Sequence, residues 1–292
     1  MQQTMTYSES RYKEILLKTM KAFIAFCKEH DIEYMAAYGT ILGTIRHKGL
    51  IPWDDDIDVF MTRENYEKFL QFKKDVFKTG YEIIDKNDKG YYLPFAKFCD
   101  ANSTIWEKKE LPFVMGVFID VFPLDHATEA NNLSEVLKKK YKAKFDKLFF
   151  ALKKYDFDDV SLLKSPKAFF TTIVKKVLQV LVGNPDKIKK SVDKIENQIK
   201  EVKGNYYMYY RSYDTYDRSM FLAEWFKECI DLPFEDFYIR VPKDYDAYLK
   251  KCYGDYMTPP PKEKQISQHY HYYVNLDKRQ SVDEIRKIHN AK

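Results

Sequence analysis

Tyr38-Gly39-Thr40-Ile41-Leu42-Gly43-Thr44-Ile45-Arg46-His47-Lys48-Gly49-Leu50-Ile51-Pro52-Trp53-Asp54-Asp55-Asp56-Ile57-Asp58-Val59 joins a glycine turn to a run of carboxylates entering an apolar strand. Side chains alternate along a strand, so Asp56 and Asp58 are expected on one face, with Ile57 and Val59 in the buried layer behind them. Two carboxylates held side by side repel each other unless a cation lies between them, and hard oxygen ligands favour Mg²⁺ or Mn²⁺. Asp54 and Asp55, just after Pro52, read more simply as a solvated acidic turn. A calcium loop does not fit. Starting it at Asp54 puts Val59 where the sharp turn requires glycine and Asn65 where a bidentate Glu should stand. Gly39-Thr40, after an expected strand at 32–38, would let backbone N–H groups approach a phosphate closely.

Working outward, residues 39–46 followed by 51–59 resemble the signature of the LicD family, which includes the fukutin-related proteins. Further matches are Phe118-Ile119-Asp120-Val121-Phe122-Pro123-Leu124-Asp125, Val241-Pro242-Lys243-Asp244-Tyr245-Asp246 and Tyr253-Gly254-Asp255-Tyr256-Met257. The resemblance spans about 32–269 and is thin between about 129 and 204. It implies a polymerase-beta-like nucleotidyltransferase core, in which a Gly-Ser or Gly-Thr turn, an Asp-x-Asp strand and a third carboxylate on a neighbouring strand form the site. Asp120 matches that third carboxylate. The cysteine-based zinc loop of the fukutin-related branch has no counterpart, since Cys27, Cys99, Cys229 and Cys252 are scattered. They read as reduced thiols of a cytoplasmic protein.

The net charge of +5 hides an asymmetry: residues 138–203 carry +10 and the remainder −5. Lys138, Lys139, Lys140, Lys142, Lys144 and Lys147 run beside Tyr141, Phe145, Leu148 and Phe149 at helical spacing, and a second apolar stripe follows at Phe169, Ile173, Val177 and Leu181. Residues 169–182 are too short an apolar run to cross a bilayer, and the polar N-terminus has no signal segment. Two readings of the basic helices stand: peripheral contact with an anionic membrane at its inner face, or packing as core beneath a solvated outer face.

The expected architecture is α/β (α+β). A nucleotidyltransferase-like core spans 1–128, a basic helical region 129–204, and an aromatic-rich C-terminal segment, 205–292, folds back to complete the site. Helices are predicted over 8–29, 40–47, 63–77, 134–154, 166–181, 185–203 and 244–252, with Gly183 and Gly204 marking ends. Strands are predicted over 32–38, 56–61, 81–84, 92–98, 104–106, 117–122 and 237–240.

Arg46 suits bidentate contact with phosphate and Lys97 a point-charge contact; a surface salt bridge is the rival role for each. His269 matches a family position after the Pro-rich turn, against a purely structural role. Tyr206, Tyr207, Tyr209, Tyr210, Tyr213 and Tyr216 form a dense cluster that suits either a cation-π cage for choline or an ordinary packed layer. The residues themselves argue for metal-assisted attack at phosphorus. The resemblance implies transfer of phosphocholine from CDP-choline, or a related CDP-alcohol, to a glycan or lipid-linked glycan hydroxyl of teichoic-acid or lipopolysaccharide type, releasing CMP. In that scheme Asp56, Asp58 and Asp120 hold the metal, while Gly39, Thr40, Arg46 and Lys97 hold the donor. Rivals are ribitol-phosphate, glycerol-phosphate or nucleotidyl transfer at the same site, and a non-catalytic module binding anionic membrane or nucleic acid. The enzyme reading expects no nucleic-acid partner.

Overall fold

The structure, a computed structural model, describes residues 7–155, 165–212, 214–267 and 269–290. In chain order the elements are α1 (Glu9–Glu29), β1 (Met35–Ala36), α2 (Tyr38–Arg46), β2 (Asp58–Thr62), α3 (Arg63–Gln71), α4 (Lys73–Val76), β3 (Tyr81–Ile84), β4 (Ala96–Asp100), β5 (Thr104–Trp106) and β6 (Phe118–Ala127). Then come α5 (Leu133–Leu152), α6 (Pro166–Val182), α7 (Pro185–Lys200), β7 (Tyr206–Met208), α8 (Tyr216–Ser219), β8 (Met220–Leu222), β9 (Cys229–Phe234), β10 (Phe237–Pro242), α9 (Tyr245–Tyr253), β11 (Tyr273–Asn275) and α10 (Val282–Asn290).

A mixed seven-stranded sheet runs β1-β2-β6-β4-β3, with β7 on the far end of β6 and β8 beside β7. Only β2 and β6 are parallel, with Asp58 opposite Asp120; β4 lies antiparallel to β6 with Lys97 opposite Asp120. Alternation sends Phe98, Ile119 and Val59 to one face, where α1 and α3 cover them. Phe23 of α1 meets Phe69 and Phe98 edge-on there, at centroid distances of 6.0 and 5.5 Å. The opposite face carries Asp58, Lys97 and Asp120. Beside them an aromatic layer forms from Tyr38, Phe60, Phe95, Phe122 and Tyr209.

β6 runs five residues beyond the expected end at 122 and passes through Pro123. The N–H of Asp120 points to Ile57 O, just before β2, so position 123 would point to the β4 side. There β4 has already ended, Ala96 standing opposite Val121, and proline's missing donor costs no ladder bond. The extension then pairs with β7 through Asp125–Met208 and Ala127–Tyr206.

Several boundaries differ from the sequence reading. The strand expected at 32–38 is two residues long, because α2 starts at Tyr38, whose φ of 41° turns the chain sharply. The helix expected at 63–77 breaks at Phe72. Gly204 does not end α7, which stops at Lys200; it is needed because a Cβ there would lie 2.0 Å from Ala127 O. The tyrosine-rich stretch supplies β7.

The C-terminal segment is interleaved with the core: β11 pairs with β5, and Tyr209, Phe221, Phe234 and Tyr248 belong to the main hydrophobic cluster. A second cluster joins α5 and α7 to β7 and β8 through Tyr141, Phe145, Val192, Ile195 and Met208. The four cysteines are free.

Candidate active site

The carboxylates of Asp56, Asp58 and Asp120 converge, offering ligand atoms that all lie within 4.8 Å of one another. Asp58 and Asp120 meet because β2 and β6 are parallel and in register; Asp56 reaches them from just before β2, which begins at Asp58 rather than at 56. Ile57 and Val59 are fully buried on the other side. The N–H of Asp58 donates to Thr40 Oγ1 at 2.8 Å, and Ala37 N donates to Asp58 O at 2.9 Å, so the start of α2 clamps the start of β2. Thr40 thus orients an acid.

Burial raises Asp58 and Asp56 well above the usual carboxylate range, and the neighbouring carboxylates push both further the same way. Asp120 is also raised by burial, against the pull of Lys97. Lys97, 1% exposed, donates to Asp120 Oδ1 at 2.6 Å and lies 3.8 Å from Glu107. Its charge is spent on these acids. It sits over the Phe118 ring at 3.2 Å and reads as an orienting partner for Asp120.

Asp54 and Asp55 are not a solvated turn. Asp55 is buried and accepts from Ser267 Oγ at 2.8 Å and pairs with His269 Nδ1 at 2.7 Å. Burial pushes Asp55 up, but the bonds from His269 and Ser267 outweigh it and hold its pKa below the ordinary value. The other ring nitrogen of His269 lies 3.3 Å from Asp56. The hydrogen bond to Asp55, against burial and with Asp56 assisting, raises His269 to about 9, which keeps it an imidazolium at neutral pH. Asp54, Asp55 and His269 also form a close triple of possible ligands. Gly39 borders this group, because a Cβ there would stand 2.9 Å from Asp54 Oδ2.

Arg46 lies elsewhere. It ends α2, seven residues and so about 10 Å along the helix from Gly39, and donates to Tyr256 O at 2.8 Å with Trp53 beside it. It fastens the C-terminal segment to α2. The tyrosines are also engaged in packing. Tyr210 donates to His126 O and Ser134, Tyr216 to Thr128 O, and Tyr209 packs on Phe122 and Phe95. Tyr213 lies outside the described residues.

Three carboxylates on a rigid sheet, short of positive charge and closely convergent, fit a hard divalent cation. Among the described residues the cations in contact with this cluster are Lys97, bonded to Asp120 Oδ1, and His269, bonded to Asp55 and 3.3 Å from Asp56.

Comparison with known proteins fits this geometry. The chain is 29% identical over 263 residues to the lipopolysaccharide cholinephosphotransferase LicD of Haemophilus influenzae, covering 87% of this chain and 93% of that one. It is 28% identical over 168 residues to an uncharacterized protein of Rickettsia typhi, covering 56% of this chain and 52% of the relative. Residues 31–167, which hold Asp56, Asp58 and Asp120, match the family model described as "LicD/FKTN/FKRP, nucleotidyltransferase domain", so the part of the chain that carries the three acids is similar to the LicD family.

Proposed function

We propose that the chain is a metal-dependent phosphotransferase with a polymerase-beta-like core that moves phosphocholine from CDP-choline to a hydroxyl of a glycan precursor. The in-register pairing of Asp58 with Asp120, completed by Asp56, is the observation that carries this reading. The choline donor and the lipopolysaccharide-type acceptor rest on the named Haemophilus relative; a teichoic-acid-type acceptor rests on the family resemblance alone.

Asp56, Asp58 and Asp120 would hold Mg²⁺ or Mn²⁺, which when bound supplies positive charge against the donor's phosphate oxygens. Thr40 and Lys97 fix two of these carboxylates, Thr40 through the Asp58 N–H and Lys97 through Asp120 Oδ1. With Lys97 on its Oδ1, Asp120 would either complete the coordination through Oδ2 or take the proton of the acceptor hydroxyl there. The acceptor oxygen bonds to the phosphorus bearing choline, the phosphoanhydride bond breaks, and CMP leaves. The start of α2 at Gly39 borders Asp54 and would lie beside the donor's phosphates. Neither Arg46 nor the 206–216 tyrosines have a part in this scheme.

The test is CMP release from CDP-choline, CDP-ribitol and CDP-glycerol with a glycan acceptor, before and after chelation. CDP-choline should be the preferred donor, and activity should vanish on chelation and return with Mg²⁺ or Mn²⁺. Preference for CDP-ribitol or CDP-glycerol would overturn the choline assignment and leave the site chemistry standing. Full activity under chelation would overturn the site itself.

A further inference from the structure

α6 is turned the wrong way for a helix of a water-facing surface. Phe170, Ile173, Val174, Val177, Leu178 and Leu181 recur at i, i+3, i+4, i+7, i+8 and i+11 and make one stripe. That stripe points outward: Leu181 is 75% exposed and Phe170 59%, Val180 beside them is 81% exposed, and no residue of α6 is buried. The inward side is mixed, its half-buried residues being Ala168, Phe169, Thr172, Gln179 and Val182, with Val182 packed on the second cluster. Gln179, opposite the stripe, donates to Phe150 O at 3.0 Å and to Lys153 O at the end of α5, which fixes the helix with its apolar face away from the protein. An exposed apolar surface of this extent marks an interaction site.

Charge identifies the occupant. Residues 138–203, which contain α6, carry the local excess of +10, and Lys140, Lys144, Lys147, Lys167, Lys187 and Lys190 have no ion-pair partner among the described residues. A second copy of this chain would bring like charge against like. A nucleic acid would satisfy the lysines and leave the stripe wet. An anionic bilayer satisfies both, with apolar side chains below the headgroups and lysines reaching the lipid phosphates.

We propose that the outward stripe of α6 and the lysines around it dock the protein on an anionic lipid bilayer, α6 lying in the interface without crossing it. No helix of the described residues is long and apolar enough to cross a membrane. The inference stands apart from the choice of donor, since its evidence is the orientation and charge of the helical layer.

The test uses the full chain in flotation with vesicles of mixed phosphatidylglycerol and phosphatidylcholine, against phosphatidylcholine alone. Binding should require the anionic lipid and weaken as salt rises. Val174→Asp with Val177→Asp should abolish it without changing the melting temperature, because both residues are exposed. Lys140→Glu with Lys144→Glu should weaken it at least roughly tenfold. Val177→Trp should shift its emission to the blue on anionic vesicles only. Equal binding to neutral vesicles, or binding unaffected by the Asp pair, would overturn the proposal. So would a dimer that the Asp pair dissociates while vesicles do not bind.

Discussion

Asp120 and Asp125 stand on the same strand, an odd number of residues apart, and so face opposite sides of the sheet. Asp125 is fully answered: Arg63 grips it with two nitrogens at 2.7 Å and extends a third to Glu196 at 3.2 Å, while Lys86 joins Glu196 and Asp193. The bonds Arg63 donates to Asp125 outweigh burial and hold Arg63 firmly protonated. This network ties β6 and α3 to α7. Asp120 belongs to a group with the opposite balance: among the described residues, Asp54, Asp55, Asp56, Asp58 and Asp120 are bonded to two cations, Lys97 and His269. A buried charge network that balances is a structural joint. One that leaves acids over holds them at raised pKa and is the arrangement expected of a functional site.

The sharpest way to break this comparison is to remove a charge from each network. Asp56→Asn or Asp58→Asn should lower turnover by roughly a thousandfold or more. The metal-free melting temperature should stay level or rise, since repulsion among the acids falls. A large drop in melting temperature would make Asp58 a structural residue like Asp125.

Arg63→Ala should behave in the reverse way. It leaves Asp125 and Glu196 buried without their main partner and should cost about 3–5 kcal/mol of stability by denaturant unfolding. Activity per folded molecule should be nearly unchanged. Loss of activity with no loss of stability would contradict the division between the two networks.

A finer probe is Gly39→Ala. The added methyl meets the end of the Asp54 side chain, which can shift, so the fold should persist while turnover falls roughly ten- to hundredfold through a displaced carboxylate. Unchanged kinetics would exclude Asp54 from the site.

The smallest effect concerns Lys138, whose ammonium donates to Ser212 O and whose pKa burial lowers to about 8. Between that value and the ordinary lysine pKa the unfolded chain binds the extra proton, so this group makes stability rise with pH above about 8. Lys138→Met should flatten that rise. An identical pH profile would show that the lysine stays charged when folded. The contrast with exposed Lys140 and Lys144 shows that the basic helices are not uniformly solvated.

The convergence of Asp56, Asp58 and Asp120 was legible because strand periodicity fixes which side chains share a face, and the family pattern named the third acid. The partners of these acids were not legible. His269 and Ser267 reach Asp55 across more than 200 residues, and no local pattern encodes that contact. Lys97 carried a signal as a lysine on a strand, but whether it met phosphate or Asp120 depended on strand order. The strands at 206–208 and 220–222 are three residues each and too short for a periodic signal, so Tyr206 and Tyr207 of the first looked like part of a cluster rather than a ladder. The stripe on α6 was legible as a stripe. Its outward direction depends on Gln179 reaching the end of α5, which only the packed structure reveals.

The most direct test of the central claim is titration of Mn²⁺ into the purified protein, followed by calorimetry, for the wild type and for Asp58→Asn at matched thermal stability. The account predicts that the wild type binds the ion and that Asp58→Asn loses this binding while keeping its fold. Equal binding by both proteins, or no binding by either, would contradict it.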